Sequence, residues 1–475
     1  MSFHRSYDAI VIGSGPNGLA AAITLQQAGV QVLLLEAKPT IGGGMRTTEL
    51  TFPGFHHDVC SAVHPMGGAS PFLRSLPLHN FGLEYIYPEV LAAHPFDDGT
   101  AAALYPSLDE TATGLGADAA AYRHLFGPLV EEWPKIDAHI LGPMLKIPKN
   151  PLALTAFGLK ALQSGKQIAA RFRTREAKGL WAGIVAHSMI PLDAFTSSAI
   201  AFVLTIAGHR GSWPIPKGGS QSIAEAMAGY FQSLGGTIQT DMEVKTLADL
   251  PDAKAVLFDT SPKQLLQICG DALSALYRWQ LKRHRYGMGV FKVDWALREP
   301  VPFQAEAARK AGTVHLGGTF DEIAQGERQV WKGGHPEKPF VLFAQQSVFD
   351  ASRAPAGQHT GWAYCHVPNG SARDMTDAIT SQVERFAPGF RDTIRATHIF
   401  DTARMEGYNA NYIGGDINGG VVNIAQLFNR PALRFSPYRT SAKGIYICSA
   451  STPPGGGVHG MCGHYAAKQA LKDIF

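Results

Sequence analysis

Charge is scarce in this chain of 475 residues: Asp, Glu, Lys and Arg make up 17% of it, and the formal net charge is only +3. A surface that holds nucleic acid needs a concentration of basic residues that this balance does not supply, so no nucleic-acid partner is expected. Cysteine is scarcer still. The five thiols, Cys60, Cys269, Cys365, Cys448 and Cys462, lie far apart and none forms a C-x-x-C pair. That argues against a disulfide framework and a zinc site, and fits buried reduced thiols in a cytoplasmic protein. No run of about eighteen uninterrupted apolar residues occurs, so no spanning helix is expected. The N-terminus enters an apolar strand almost at once, which leaves no room for a leader peptide. What the chain has in plenty is glycine, 51 residues of it, and a hydrophobic share of 45%. The length allows two or three domains with large cores.

The glycines begin in a telling place. Tyr7 to Ile12 is a short apolar run, followed by Gly13-Ser14-Gly15-Pro16-Asn17-Gly18 and a stretch with Leu19, Ala22, Ile23 and Gln26 at helical spacing. Gly29 ends that helix, and a second apolar strand, Val30 to Leu35, ends on Glu36-Ala37. This is a G-x-G-x-x-G fingerprint in a strand–helix–strand context, the arrangement that binds a dinucleotide. Gly13 permits the tight turn, Gly15 lets backbone approach a pyrophosphate, and Gly18 lets the helix pack close to the sheet. The helix presents unpaired N–H groups to the phosphates. Glu36 is placed to accept hydrogen bonds from ribose hydroxyls and would repel a 2′-phosphate.

Further along, Ser70 to Gly211 reads as a helix-rich insertion. It contains a basic run, Lys160, Lys166, Arg171, Arg173, Arg175 and Lys178. Two readings fit: a solvated helical face, or a basic amphipathic patch resting on anionic lipid. Trp213 to Ser220 then leads to a helix in which Ser222 and Glu225 suit a capping box. That helix stops at Gly235-Gly236 and gives way to short strands. Tyr286 to about Pro388 alternates as a mostly antiparallel sheet, the floor of a substrate cavity, with Asp350 and Arg353 fixing a loop. Ile445 to Ala450 is a buried strand, followed by the glycine-rich turn Thr452 to Gly460 and a last helix. His56, His57 and His64 invite a metal reading, but neighbours on a strand point to opposite faces, so no metal site is expected. His64 and His459 are candidates to carry a proton, each with a simpler alternative as a hydrogen-bonded structural or capping histidine.

Gly42-Gly43-Gly44-Met45-Arg46 resembles the GG-x-R segment of the flavin amine oxidase superfamily. Together with Gly13 to Gly18, Glu36, Pro216 to Ser220, Val244 and Thr452 to Gly460, it resembles the phytoene desaturase-like flavoproteins over nearly the whole chain. That group includes carotenoid desaturases and isomerases, retinol saturases and pyridine-nucleotide-disulfide-oxidoreductase-like relatives. The resemblance implies an α/β fold: a Rossmann-like FAD-binding domain of the amine-oxidase type, interleaved with an α+β substrate domain. The FAD-binding part would comprise residues 1–69, 212–270 and 395–475, and the substrate part 70–211 and 271–394. Cofactor contacts would come from Gly13, Ser14, Gly15, Pro16, Asn17, Gly18, Glu36, Ala37, Gly43, Gly44, Met45, Arg46, Val244, Pro454, Gly456, Gly457 and Val458. In the family, backbone at the position of Val244 contacts adenine, and the last helix faces the flavin pyrimidine. The implied chemistry is hydride transfer between a substrate carbon and flavin N5, desaturating, saturating or isomerising an apolar isoprenoid, polyene or lipid. O2 or a quinone would take the electrons. Cys448 and Cys462 flank the terminal motif, so a covalent flavin link stands beside the buried-thiol reading. Two rivals share the fold: an amine or amino-acid oxidase, and a non-enzymatic escort protein.

Overall fold

The computed structural model describes residues 6–143 and 147–475. A five-stranded parallel sheet runs in the order Ile445–Ile447, Ala255–Phe258, Ala9–Ile12, Val32–Leu35, Thr237–Gln239. Its central strands, AIVI and VLLL, are buried throughout. Strands covered on both faces read as continuous apolar runs, which is why Tyr7 to Ile12 does not alternate. Ala9, Val11, Val32 and Leu34 pack on one face with Leu19 and Ile23 of the helix Pro16–Gln27. Ile10, Ile12, Leu33 and Leu35 pack on the other with Leu265, Tyr277 and Leu281. The last helix, Met461–Ile474, crosses the first at Gly463, where a Cβ would lie 1.7 Å from the Asn17 carbonyl oxygen.

The second sheet has seven strands, in the order Ile394–Phe400, Gly289–Leu297, His359–Val367, Val341–Ala344, Ala311–Leu316, Val90–Pro95, Ala101–Leu104. All its pairings are antiparallel except that of Ala311–Leu316 with Val90–Pro95. One face carries Phe291, Val293, Trp295, Val314, Phe343 and Cys365 and packs on Phe386 and Phe390. The opposite face is roofed by helices, among them Arg175–Ala186 and Ser197–Gly211.

The structure moves several expected boundaries. Ile394–Phe400 pairs with Gly289–Leu297, so residue 395 falls inside a strand of the seven-stranded sheet. Tyr277 and Leu281, expected in the substrate part, lie in the core of the parallel sheet. The helical insertion contributes the hairpin Val90–Pro95 and Ala101–Leu104, whose alanines carry little strand signal but sit buried against larger neighbours. The capping box at Ser222 and Glu225 is not formed. The helix starts at Gln221, and Ser222 donates its hydroxyl to the Gly219 carbonyl at 2.8 Å. The basic run is split over the helices Pro151–Ala161, Gly165–Ala169 and Arg175–Ala186, and Arg175 is paired with Asp98 and Glu176. Arg353 fixes more than a loop: it is fully buried and donates to Asp58 and to the His56 carbonyl.

Candidate functional site

The first glycine loop is shaped by contacts that only glycine allows. Gly13 has φ +96°, and a Cβ on Gly18 would meet the Gly13 carbonyl oxygen at 1.9 Å. Gly15 precedes the first helix with no side-chain cap; Pro16 has no N–H and Asp259 holds that of Gly18, so the Asn17 N–H is the first-turn donor left to meet an anion. Gly43 approaches this loop closely, since its Cβ would lie 2.8 Å from the Gly15 Cα. Glu36 links the two loops. Its carboxylate accepts from the Ser14 N–H at 3.0 Å, the Lys38 N–H at 2.9 Å and Arg46 Nη2 at 3.1 Å. Arg46 also donates to the Thr40 carbonyl at 2.7 Å and lies 5.4 Å from the centre of the Tyr408 ring.

These residues open on a cavity of about 1060 Å³. Gly13 to Asn17, Glu36, Ala37, Gly43, Gly44, Arg46, Val244, Pro454 and Gly456 to Val458 all line it. Gly18 and Met45 do not. Gly18 packs on Gly13, and Met45 is fully buried in the apolar core. Close packing and burial use both residues for the fold.

Sequence reasoning missed a third wall. Asp259 ends the strand Ala255–Phe258, and its Oδ2 accepts the Gly18 N–H at 2.8 Å. Burial, with a further push from Glu36, raises its pKa to about 7. Asn411 donates to the Asp259 carbonyl at 2.9 Å and accepts from the Ser261 N–H at 2.7 Å, and Tyr408 donates to the Gly43 carbonyl at 2.6 Å. The run Gly407-Tyr408-Asn409-Ala410-Asn411-Tyr412 therefore closes one side of the cavity. Its density of Asn and Tyr between two glycine-rich turns was the available signal.

Both candidate histidines line the cavity and are buried. Ser220 donates its hydroxyl to the Ser61 carbonyl at 2.6 Å, so it accepts from His64 Nε2 at 2.8 Å. That places the ring proton on Nε2 and leaves Nδ1 as a base. Burial lowers the His64 pKa to about 4. His459 uses both nitrogens locally: Nδ1 accepts the Met461 N–H at 3.0 Å, and Nε2 donates to the Gly455 carbonyl at 3.1 Å. Cys448 and Cys462 are free and buried, and burial pushes both thiols up.

Asp58, on the short strand His56–Asp58, ties the segment after the second glycine loop to the seven-stranded sheet. It accepts from Arg353 at 2.7 Å, Thr47 Oγ1 at 2.7 Å and the Ser220 N–H at 2.8 Å, while its carbonyl accepts from Trp362 Nε1 at 2.9 Å. Beside it Lys292 is bonded to Asp294, both fully buried, with Lys292 Nζ 5.6 Å from the centre of the Trp362 ring. Burial lowers the Lys292 pKa and raises that of Asp294 to about 6, each opposed by its partner.

Away from the glycine loops the cavity becomes an apolar chamber. Leu154, Phe157, Ala161, Ala199, Ile200, Val203 and Leu204 line it from the helices, and Leu342, Trp362 and Tyr364 from the sheet. The charged lining residues are Glu36, Lys38, Arg46, Glu243, Lys245, Asp259 and Arg430, all from the segments that carry the glycine loops and the parallel sheet. Glycine-backed helix starts, a carboxylate at the end of the second strand and an adjoining apolar chamber suit a dinucleotide that carries a redox ring.

Residues 17–391 match the family model described as flavin containing amine oxidoreductase. The mouse (Mus musculus) pyridine nucleotide-disulfide oxidoreductase domain-containing protein 2 is 26% identical, with 98% of this chain and 94% of that protein covered. A phytoene desaturase (lycopene-forming) from a Paracoccus species is 24% identical over 96% of this chain and 95% of its own. Among solved structures, putrescine oxidase with bound putrescine superposes with a TM-score of 0.61 at 17% identity, covering 98% of each chain, which speaks for the fold alone. The chain therefore belongs to the flavin-containing amine oxidoreductase family, and its cofactor is FAD.

Proposed function

We propose that this oxidoreductase acts on an apolar isoprenoid-, polyene- or lipid-like molecule held in the chamber, desaturating, saturating or isomerising its carbon skeleton. The carrying observation is the apolar lining of that chamber, with every charge on the nucleotide side. FAD, when bound, supplies an acceptor for hydride at N5. The chain's own residues do the rest. Glu36 is the proposed ribose contact, Val244 the adenine contact, and the Asn17 N–H at the start of the first helix the pyrophosphate contact. Gly43, Gly44, Arg46 and Pro454 to Val458 would flank the flavin. His64 Nδ1 is the proposed proton acceptor, whereas His459, with both nitrogens engaged, holds the glycine turn in place. The apolar walls exclude water, and O2 or a quinone is the proposed electron acceptor.

Access from a lipid surface is part of this reading. The helix Pro151–Ala161 lines the chamber with Leu154, Phe157, Gly158 and Ala161, while Leu152 and Leu159 on the same helix are 87% and 66% exposed. Lys149 and Lys160 flank them, the composition of an interfacial helix.

The family's name favours a second reading, an amine oxidase. A bound ammonium is best stabilised by a carboxylate at the substrate end, and the carboxylates that line the cavity, Glu36, Glu243 and Asp259, lie on the nucleotide side. Filling the chamber tests the main reading. Ala199→Trp should reduce turnover of an apolar substrate at least tenfold while the bound FAD spectrum stays unchanged; unchanged turnover would rule the chamber out as the substrate site.

A further inference from the structure

The end of the chamber far from the glycine loops holds an expensive arrangement. Along the helix Arg175–Ala186, Gly179 and Gly183 stand four residues apart, and each lies over a buried imidazole. A Cβ on Gly179 would meet His94 at 2.7 Å, and one on Gly183 would meet His315 Nδ1 at 2.6 Å. An interior glycine weakens a helix relative to alanine. Here the two glycines make room for two buried polar rings. His315 Nε2 lies 2.9 Å from His187 Nε2, and His187 lines the chamber together with Thr313, which stands two residues before His315 on the same face of its strand.

The hydrogen-bond inventory sets the direction of this pair. Two imidazoles facing each other through Nε2 need one donor and one acceptor. His315 Nδ1 is buried against Gly183 with no partner. If His187 donated, His315 would carry its proton on that Nδ1 and bury an orphaned N–H, the rarer and costlier fault. His315 therefore donates, and His187 carries its proton on Nδ1, at the edge of a ring that lines the chamber. Burial keeps both rings neutral, with the His187 pKa lowered to about 3 and that of His315 well below its ordinary value. A neutral N–H and a threonine hydroxyl match an uncharged oxygen and do not match a carboxylate or an ammonium; the buried His366–Glu327 pair, whose charge reaches His187, does not line the chamber.

We propose that His187 and Thr313 form an oxygen-recognition subsite, so that the substrate is an apolar molecule bearing a hydroxyl or carbonyl group at the end remote from the FAD loops. The subsite rests on the apolar-substrate reading of the chamber and narrows it. It also sets a scale. Thr313 is separated from Trp362, on the side of Asp58 and Cys60, by the strand Val341–Ala344. Two strand spacings amount to roughly 10 Å, so the oxygen anchors the molecule and the reacting carbon lies elsewhere along it.

Matched ligands on the FAD-loaded protein test this. Geranylgeraniol, geranylgeranial, the corresponding hydrocarbon and geranylgeranylamine would each be titrated anaerobically, with tryptophan and flavin fluorescence as the readout. The wild type should bind the alcohol and the aldehyde roughly tenfold more tightly than the hydrocarbon. His187→Phe should bring that ratio to about one, and Thr313→Val, a smaller change that keeps the strand's packing, should reduce it. Equal binding of alcohol and hydrocarbon by the wild type, or a ratio that survives both substitutions, overturns the subsite and leaves the apolar chamber standing. Binding of the amine alone overturns the chamber reading and the subsite with it.

Discussion

At the scale of single residues, Asp259 does the most that motif reading did not anticipate. Its carboxyl holds the Gly18 N–H, sits in the path a Cβ at Gly15 would take, and has its pKa raised to about 7 by burial and by Glu36. An acid whose folded pKa exceeds its unfolded value binds more protons when folded, so its contribution to stability is lost as pH rises from about 4 to about 7. Asp259→Asn removes that loss. The FAD-free wild type should become less stable relative to the variant across this window, measured as the difference in melting temperature at each pH. A constant difference would mean that Asp259 is ionised throughout. The same scale separates the two histidines. In the sequence His64 and His459 were equal candidates, and only the hydrogen-bond partners distinguish a ring with a free Nδ1 from one with both nitrogens occupied.

At the scale of elements, the first and last helices form one unit. Gly463 is as tightly placed as any residue of the fingerprint: a Cβ there would overlap the Asn17 carbonyl, and Asn17 belongs to the first glycine loop. Gly463→Ala should force the helices apart, with a cost of roughly 1–3 kcal/mol or more, and should lower FAD retention after gel filtration. Full retention with an unchanged melting temperature would show that the crossing relaxes freely. The strand–helix–strand start and the terminal turn were legible because each depends on local rules: apolar runs, glycine at fixed spacing and an acid at a strand end. The Asn- and Tyr-rich closing segment, the Val90–Pro95 hairpin and the role of Arg353 were not. The hairpin is hidden by its alanines, while the closing segment and Arg353 are defined by partners hundreds of residues away in sequence, such as Gly43 for Tyr408 and Asp58 for Arg353. Local pattern carries no trace of such pairing.

For the whole molecule, the two sheets assign the two tasks. The parallel sheet ends in loops that carry the proposed nucleotide contacts, and the seven-stranded sheet with its helical roof supplies a chamber whose lining there has no charged residue. The exposed apolar side of Pro151–Ala161 makes a prediction about where the protein works. Vesicles containing anionic lipid should sediment the protein at low salt, and Leu152→Asp combined with Leu159→Asp should abolish this while leaving the FAD spectrum intact. Sedimentation that is indifferent to both substitutions would place the membrane contact elsewhere or remove it. The amine-oxidase and apolar-substrate readings meet in the same cavity, and composition alone does not choose between them. The distribution of charge along the walls supports the proposed apolar substrate.

The most direct test is an anaerobic titration of the FAD-loaded protein, following the flavin absorbance while a panel of isoprenoids, polyenes, lipids and amines is added. The account predicts bleaching by a member of the apolar classes and none by amines. Bleaching by amines with no response to any apolar compound would contradict it.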